Sequence, residues 1–134
     1  MKSKKYIKFK HKKDEELFLF LTPILIHVAG DMANYCHKRG LPFIVTDTIS
    51  TLENDKEIKR VSSSHRQGRA IDVSVHGWMK NEIKDFMEFY SNKYRKIAAI
   101  SKEDLKPKLI VYHNHIGWHM HIQLHPDYAV VPEQ

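Results

Sequence analysis

The sequence predicts an α+β domain: a small antiparallel sheet with helices packed on one face. Three observations carry that reading. Residues 14–39 and 80–96 repeat apolar side chains at helical spacing, as in Leu17, Leu21, Ile24, Val28, Met32 and Tyr35. Residues 41–49, 70–75 and 119–124 are shorter and are rich in β-branched residues or alternate in polarity. The order helix, strand, strand, helix, strand, strand lacks the regular alternation of a parallel βαβ sheet. A chain of 134 residues with 42% hydrophobic content can build one compact core, so a single domain is expected.

Taken in order, residues 1–12 read as a basic arm with a short edge strand over 6–9, ahead of a domain spanning 13–134. The first helix is expected over 14–39. Asp14, Glu15 and Glu16 suit its N-terminus, His37, Lys38 and Arg39 its C-terminus, and Gly40 its stop. Pro23 kinks it or splits off a first turn. A strand follows over 41–49. Residues 50–62 are polar and read as a surface loop, a wall facing a substrate. Over 70–75, Ile71, Val73 and Val75 share one face and Ala70, Asp72 and Ser74 the other. The second helix, 80–96, turns Ile83, Phe86, Met87, Tyr90 and Tyr94 inward. Residues 106–124 suggest an antiparallel hairpin that turns over 113–117. In its last strand Met120, Ile122 and Leu124 face the core, while His119, His121 and Gln123 face the other side. Asp72 is able to join them there. Trp78 and Tyr112 read as packing residues, and Trp118 as core or rim.

Charge narrows the partners. The chain holds 22 Lys and Arg against 16 Asp and Glu, a net charge of +6. Seven lysines fall within the first thirteen residues, so the excess belongs mostly to the arm. It favours an anionic partner: nucleic acid, a membrane surface or a bacterial wall polymer. No recognition helix or aromatic RNA-binding motif accompanies it, so nucleic acid is not expected. The apolar run 17–28 is too short to span a membrane and is interrupted by Pro23 and His27. It reads as a folded helix rather than a secretory signal, which implies synthesis in the cytoplasm without a cleaved leader. The single cysteine, Cys36, excludes an internal disulfide and a four-cysteine zinc site, and reads as an inert buried thiol.

The ten histidines and the carboxylates are therefore the available metal ligands. His65 and Asp72 lie seven residues apart with Gly68 between them, as a turn entering a strand. His121 completes a set of two histidines and one carboxylate. With water in the fourth position this is a catalytic zinc arrangement, not a structural one. His121 is preferred over His119 as the third ligand. His119, on the same strand face, is the candidate base or oxyanion stabiliser, and His115 the second candidate. Arg66 or Arg69 is the candidate for a substrate carboxylate or the tetrahedral intermediate.

The run Ser63-x-His65-x-x-Gly68-x-Ala70-x-Asp72 resembles the signature of the D-alanyl-D-alanine carboxypeptidase and L-alanyl-D-glutamate endopeptidase family of zinc peptidases. The ending His119-x-His121 is similar to that of penicillin-insensitive murein endopeptidases and hedgehog zinc domains. The resemblance implies a hedgehog/DD-peptidase-like fold and zinc on His65, Asp72 and His121, with His119 beside it and His115 as the polar residue six positions earlier. It implies a peptidoglycan peptide as substrate, in an enzyme that acts on the cell wall, and suits a phage-type lysis enzyme working as a monomer. Two departures stand out. The family's carboxylate base, three residues before the last histidine ligand, is replaced by Trp118, and no Asp or Glu lies between 107 and 126. The family's arginine after the strand that precedes the signature is also missing from Thr46-Asp47-Thr48-Ile49-Ser50, leaving Arg60 or Arg66 to replace it. The alternative is a zinc-containing binding or structural module without catalysis.

Overall fold

The computed structural model describes residues 5–60, 62–114 and 117–130. Its strands are β1 (Ile7–Phe9), β2 (Phe43–Asp47), β3 (Ala70–Ser74), β4 (Ile110–Asn114) and β5 (Trp118–Gln123). Its helices are α1 (Lys12–Leu17), α2 (Pro23–Lys38), α3 (Leu52–Glu57) and α4 (Lys80–Lys93). The result is a small α+β domain, in which the sheet runs β1-β2-β3-β5-β4.

The pairs β2–β3, β3–β5 and β4–β5 are antiparallel. The sheet as a whole is mixed, which corrects the expectation of an antiparallel one. Strand β1 runs parallel to β2, with Ile7 beside Phe43 and Phe9 beside Val45. A parallel pair needs a crossover of a dozen or more residues, and α1 with α2 supplies it.

Pro23 divides the first helical stretch. A proline inside a helix loses one hydrogen bond and clashes with the preceding turn, whereas at the first helical position it costs nothing. The chain accordingly breaks at Thr22 (ψ 137°) and α2 begins on Pro23. At the other end Gly40 adopts φ +70° and donates its N–H to the His37 carbonyl, the stop expected of it. Helix α2 buries Leu25, Val28, Met32 and Cys36 completely. They meet Phe43, Val45, Ile71, Val73, Met120 and Ile122 from the sheet, and Phe86 and Tyr90 from α4. Helices α2 and α4 touch directly: Tyr35 meets Phe86 edge-on, and Asp31 accepts from Lys93 Nζ (2.7 Å) and Tyr94 Oη (2.5 Å). Both therefore cover one sheet face and leave the opposite face to the polar side chains.

Residues 50–62 are not simply a loop. They hold α3, capped by the Thr51 hydroxyl, which accepts from the Asn54 N–H at 3.1 Å. No helix among the described residues is long and apolar enough to cross a membrane.

Candidate metal centre

Register across the sheet assembles most of the site. Asp72 of β3 lies directly opposite His121 of β5, and Ser74 opposite His119. Opposed residues in an antiparallel pair share a face, so Asp72, His119 and His121 emerge together on the side away from the helices. His65 arrives from the turn before β3. There Gly68 N–H returns to the His65 carbonyl (3.1 Å) and Arg69 N–H to the Ser64 carbonyl (3.2 Å).

Gly68 is required twice over in that turn. Its φ is +66°, a region L side chains avoid, and a Cβ would run into Val130 Cγ2. Gly68→Ala is expected to destabilise the fold by about 1–2 kcal/mol. A thermal unfolding midpoint equal to that of the parent would contradict this account of the glycine.

Partner chemistry fixes the histidine tautomers. His65 is fully buried, and its Nδ1 lies 2.7 Å from the Thr48 carbonyl, which can only accept. Nδ1 therefore carries the proton and Nε2 is bare. Thr48 is held in turn by Asp14 Oδ1, which accepts from its N–H (3.0 Å) and its hydroxyl (2.6 Å). In β5, the Gln123 amide donates to the Lys108 carbonyl (3.1 Å), so its oxygen faces His121 Nε2 at 3.1 Å. His121 thus donates from Nε2 and leaves Nδ1 bare. Both bare nitrogens converge on one oxygen: Asp72 Oδ1 is 3.2 Å from His65 Nε2 and 2.9 Å from His121 Nδ1. Lone pairs facing a carboxylate repel unless a cation or a proton lies between them. The three ligand atoms lie within 4.8 Å of one another and form a cluster able to coordinate a metal ion. Two imidazoles and one carboxylate are a donor set that fits zinc.

The electrostatics agree. Burial disfavours a charged His65, but the Asp72 carboxylate outweighs it and pushes the imidazole pKa up. For His121 burial prevails and pushes it down. Burial also opposes charge on Asp72, yet His65 and His121 hold its carboxyl well below the usual range.

His119 stands beside this cluster. Its Nδ1 lies 2.9 Å from the Gly117 carbonyl, so Nδ1 is the donor and Nε2 is bare, 3.9 Å from Asp72 Oδ2. The His113 ring meets it edge-on at 4.2 Å. His115 lies outside the described residues. Arg66 is not brought to the cluster: its Nε donates to Asp55 Oδ2 at 2.8 Å. Arg69 is buried against Gln67 and the Leu124 carbonyl.

Arg60 is the guanidinium at the site. The β2–β3 register shifts between Val45 and Asp47, which sets Asp47 opposite Asp72. Opposed carboxylates repel, and Arg60 relieves them at 2.6 Å from Asp47 Oδ2 and 3.6 Å from Asp72 Oδ2. It also reaches Asp55 of α3 at 3.0 Å. Sequence reasoning reached Arg60 only as a substitute for an absent arginine and missed Gln123 as a partner of His121. The one signal for Gln123 was its spacing of two residues from His121 on a strand.

The site opens into a cleft of about 1690 Å³ bounded by the outer sheet face, by Ile58, Arg60 and Ser62, and by the Lys80–Glu88 part of α4. Its volume exceeds that of most small-molecule pockets, about 300–1,000 Å³. Trp78 is packing as expected, donating to the Pro42 carbonyl at 3.0 Å. Tyr112 is not: it is 39% exposed and stacks on Trp118 at the hairpin end of the cleft. No family model, no curated protein and no solved structure matches this chain.

Proposed function

We propose that the chain is a zinc-dependent peptidase that hydrolyses peptide bonds in bacterial peptidoglycan, as an endopeptidase or carboxypeptidase, on a hedgehog/DD-peptidase-like fold. One observation carries the reading: two bare imidazole nitrogens and the Asp72 carboxylate converge, with the bare Nε2 of His119 beside them. The signature-like run from Ser63 to Asp72 supports it. His65, Asp72 and His121 would hold the ion. Bound zinc lowers the pKa of a coordinated water to about 7 and polarises a carbonyl. His119 supplies the base that the missing carboxylate leaves unfilled. Its Nε2 accepts a proton while the Gly117 carbonyl keeps Nδ1–H in place. Arg60, held by Asp47 and Asp55, offers positive charge beside Asp72 for a substrate carboxylate or oxyanion. Arg66 serves at one remove by fixing Asp55. The enzyme acts on the wall as a monomer, in the manner of a phage-type lysis protein.

A second reading, a zinc module without catalysis, is favoured by one observation: no Asp or Glu lies between residues 107 and 126. Digestion of purified, chemically typed peptidoglycan separates the two. Release of defined peptides, lost with chelator and restored by zinc, is the outcome expected of the peptidase. Intact wall alongside one bound zinc per chain would instead establish the module.

A further inference from the structure

The wall of the cleft carries more positive charge than its own acids neutralise. Five cations line it: Lys10, Lys59, Arg60, Lys80 and Lys84. Arg60 is engaged by Asp47 and Asp55. The four lysines are exposed, and none makes an ion pair among the described residues. Of the carboxylates in the cleft, Asp47 is held by Arg60 and Asp72 belongs to the candidate metal cluster, which leaves Glu88 uncommitted. Such a cleft draws in an anionic ligand and disfavours a cationic one.

Lys59 is the cation whose identity the fold itself does not explain. Helix α3 ends in a left-handed turn, with Lys59 N–H on the Lys56 carbonyl (3.2 Å) and Arg60 N–H on the Asp55 carbonyl (2.7 Å). Lys59 occupies the left-handed position at φ +59°. Glycine is the residue that suits this place, because any Cβ is strained there. A lysine stands at the strained position, on the cleft wall, one residue from the guanidinium that faces Asp72. Of the two non-glycine residues at positive φ among the described residues, Lys59 and Leu105, only Lys59 lines the cleft.

We propose that Lys59 binds a free carboxylate of the substrate, so that the cleft selects wall peptides whose glutamyl α-carboxylate is free over those in which it is amidated. The identity of that substrate rests on the peptidase reading; the preference for a carboxylate does not. The ligand class is a peptide with a carboxylate flanking the scissile bond, and the interaction is a lysine–carboxylate ion pair at the cleft rim.

The test uses the zinc-loaded protein and two probes that contain no bond between two amino acids. These are N-acetyl-D-glutamic acid γ-methylamide with its α-carboxylate free, and the same compound with that group as carboxamide. Calorimetric titration is expected to show tighter binding of the free acid. Lys59→Gly relieves the left-handed strain, so its unfolding midpoint should equal or exceed the parent's. Its affinity for the free acid should fall about fivefold while that for the amide is unchanged. Lys59→Asn, which also tolerates the turn, should reproduce the loss. Equal affinity of the parent for both probes, or a Lys59→Gly protein that keeps the preference, overturns the proposal even if the wall is digested. A Lys59-dependent preference in a protein that leaves peptidoglycan intact supports it, while the peptidase reading falls.

Discussion

Exchanging Asp72 for asparagine is expected to weaken zinc binding more than about a hundredfold, with the fold retained. Loss of partners that merely orient a ligand typically costs 10–100-fold, and Asp72 is one of the three candidate ligands and the only anion among them. Asparagine preserves the shape but removes the charge that faces His65 and His121. His65→Ala should have the same effect on zinc, accompanied by a loss of stability, because that ring is fully buried. Titration against a metal indicator, with circular dichroism as the control for folding, checks both. Parent-like affinity in Asp72→Asn would remove Asp72 from the site.

The same measurement carries a pH signature. The pKa of His65 is raised in the folded, metal-free protein, and a metal ligand must be deprotonated. Protons therefore compete with zinc at His65 up to a higher pH than at an ordinary histidine. Zinc affinity should fall steadily as pH is lowered from about 8 to about 5.5, and binding should release protons. The stability of the metal-free protein has the opposite sense. A raised folded-state value contributes stability that is complete below the unfolded histidine value and is lost as pH rises through the folded value. Zinc affinity that does not change across this range would contradict the assignment of His65.

Replacing His119 by alanine should separate metal from chemistry. Zinc binding is expected to remain within a few-fold of the parent, since His119 Nε2 stands 3.9 Å from Asp72 Oδ2 and outside the three-ligand cluster. Release of wall peptides is expected to fall by about 10²–10⁴, the usual contribution of a positioned general base. Zinc content and peptide release measured on one preparation decide the matter. Loss of the metal would make His119 the ligand, and undiminished release would deny it any role.

Much of this site could be read from strand alternation. Asp72, His119 and His121 fall on the polar side of two strands whose other side is Ile71, Val73, Met120 and Ile122, and a period of two sends them to one face. Gly68 was informative for the same local reason, because a left-handed turn carries its own residue preference. What stayed hidden depends on partners distant in sequence. The run from Ile7 to Phe9 reads as a strand, but its parallel direction is set by Phe43 and Val45. Helix α3 has six residues and no apolar period, so only the Thr51 cap betrays it. Arg60 and Arg66 are indistinguishable as residue types. The shift between Val45 and Asp47 gives Asp47 and Asp72 a common need for Arg60, while Arg66 goes to Asp55.

Cys36 has a consequence in time rather than in space. Its thiol lies in the core beneath α2, and burial pushes its pKa up to about 12. In the closed protein it is neither a nucleophile nor a competitor for zinc. An oxidant or alkylating agent meets the thiolate only when α2 lifts from the sheet, so the reaction of this single sulfur follows the frequency of that opening. An ion that binds the closed form alone makes the opening rarer in proportion to its occupancy. The chain thus carries an internal clock for its own breathing, placed in the hydrophobic layer on the far side of the sheet from the cleft.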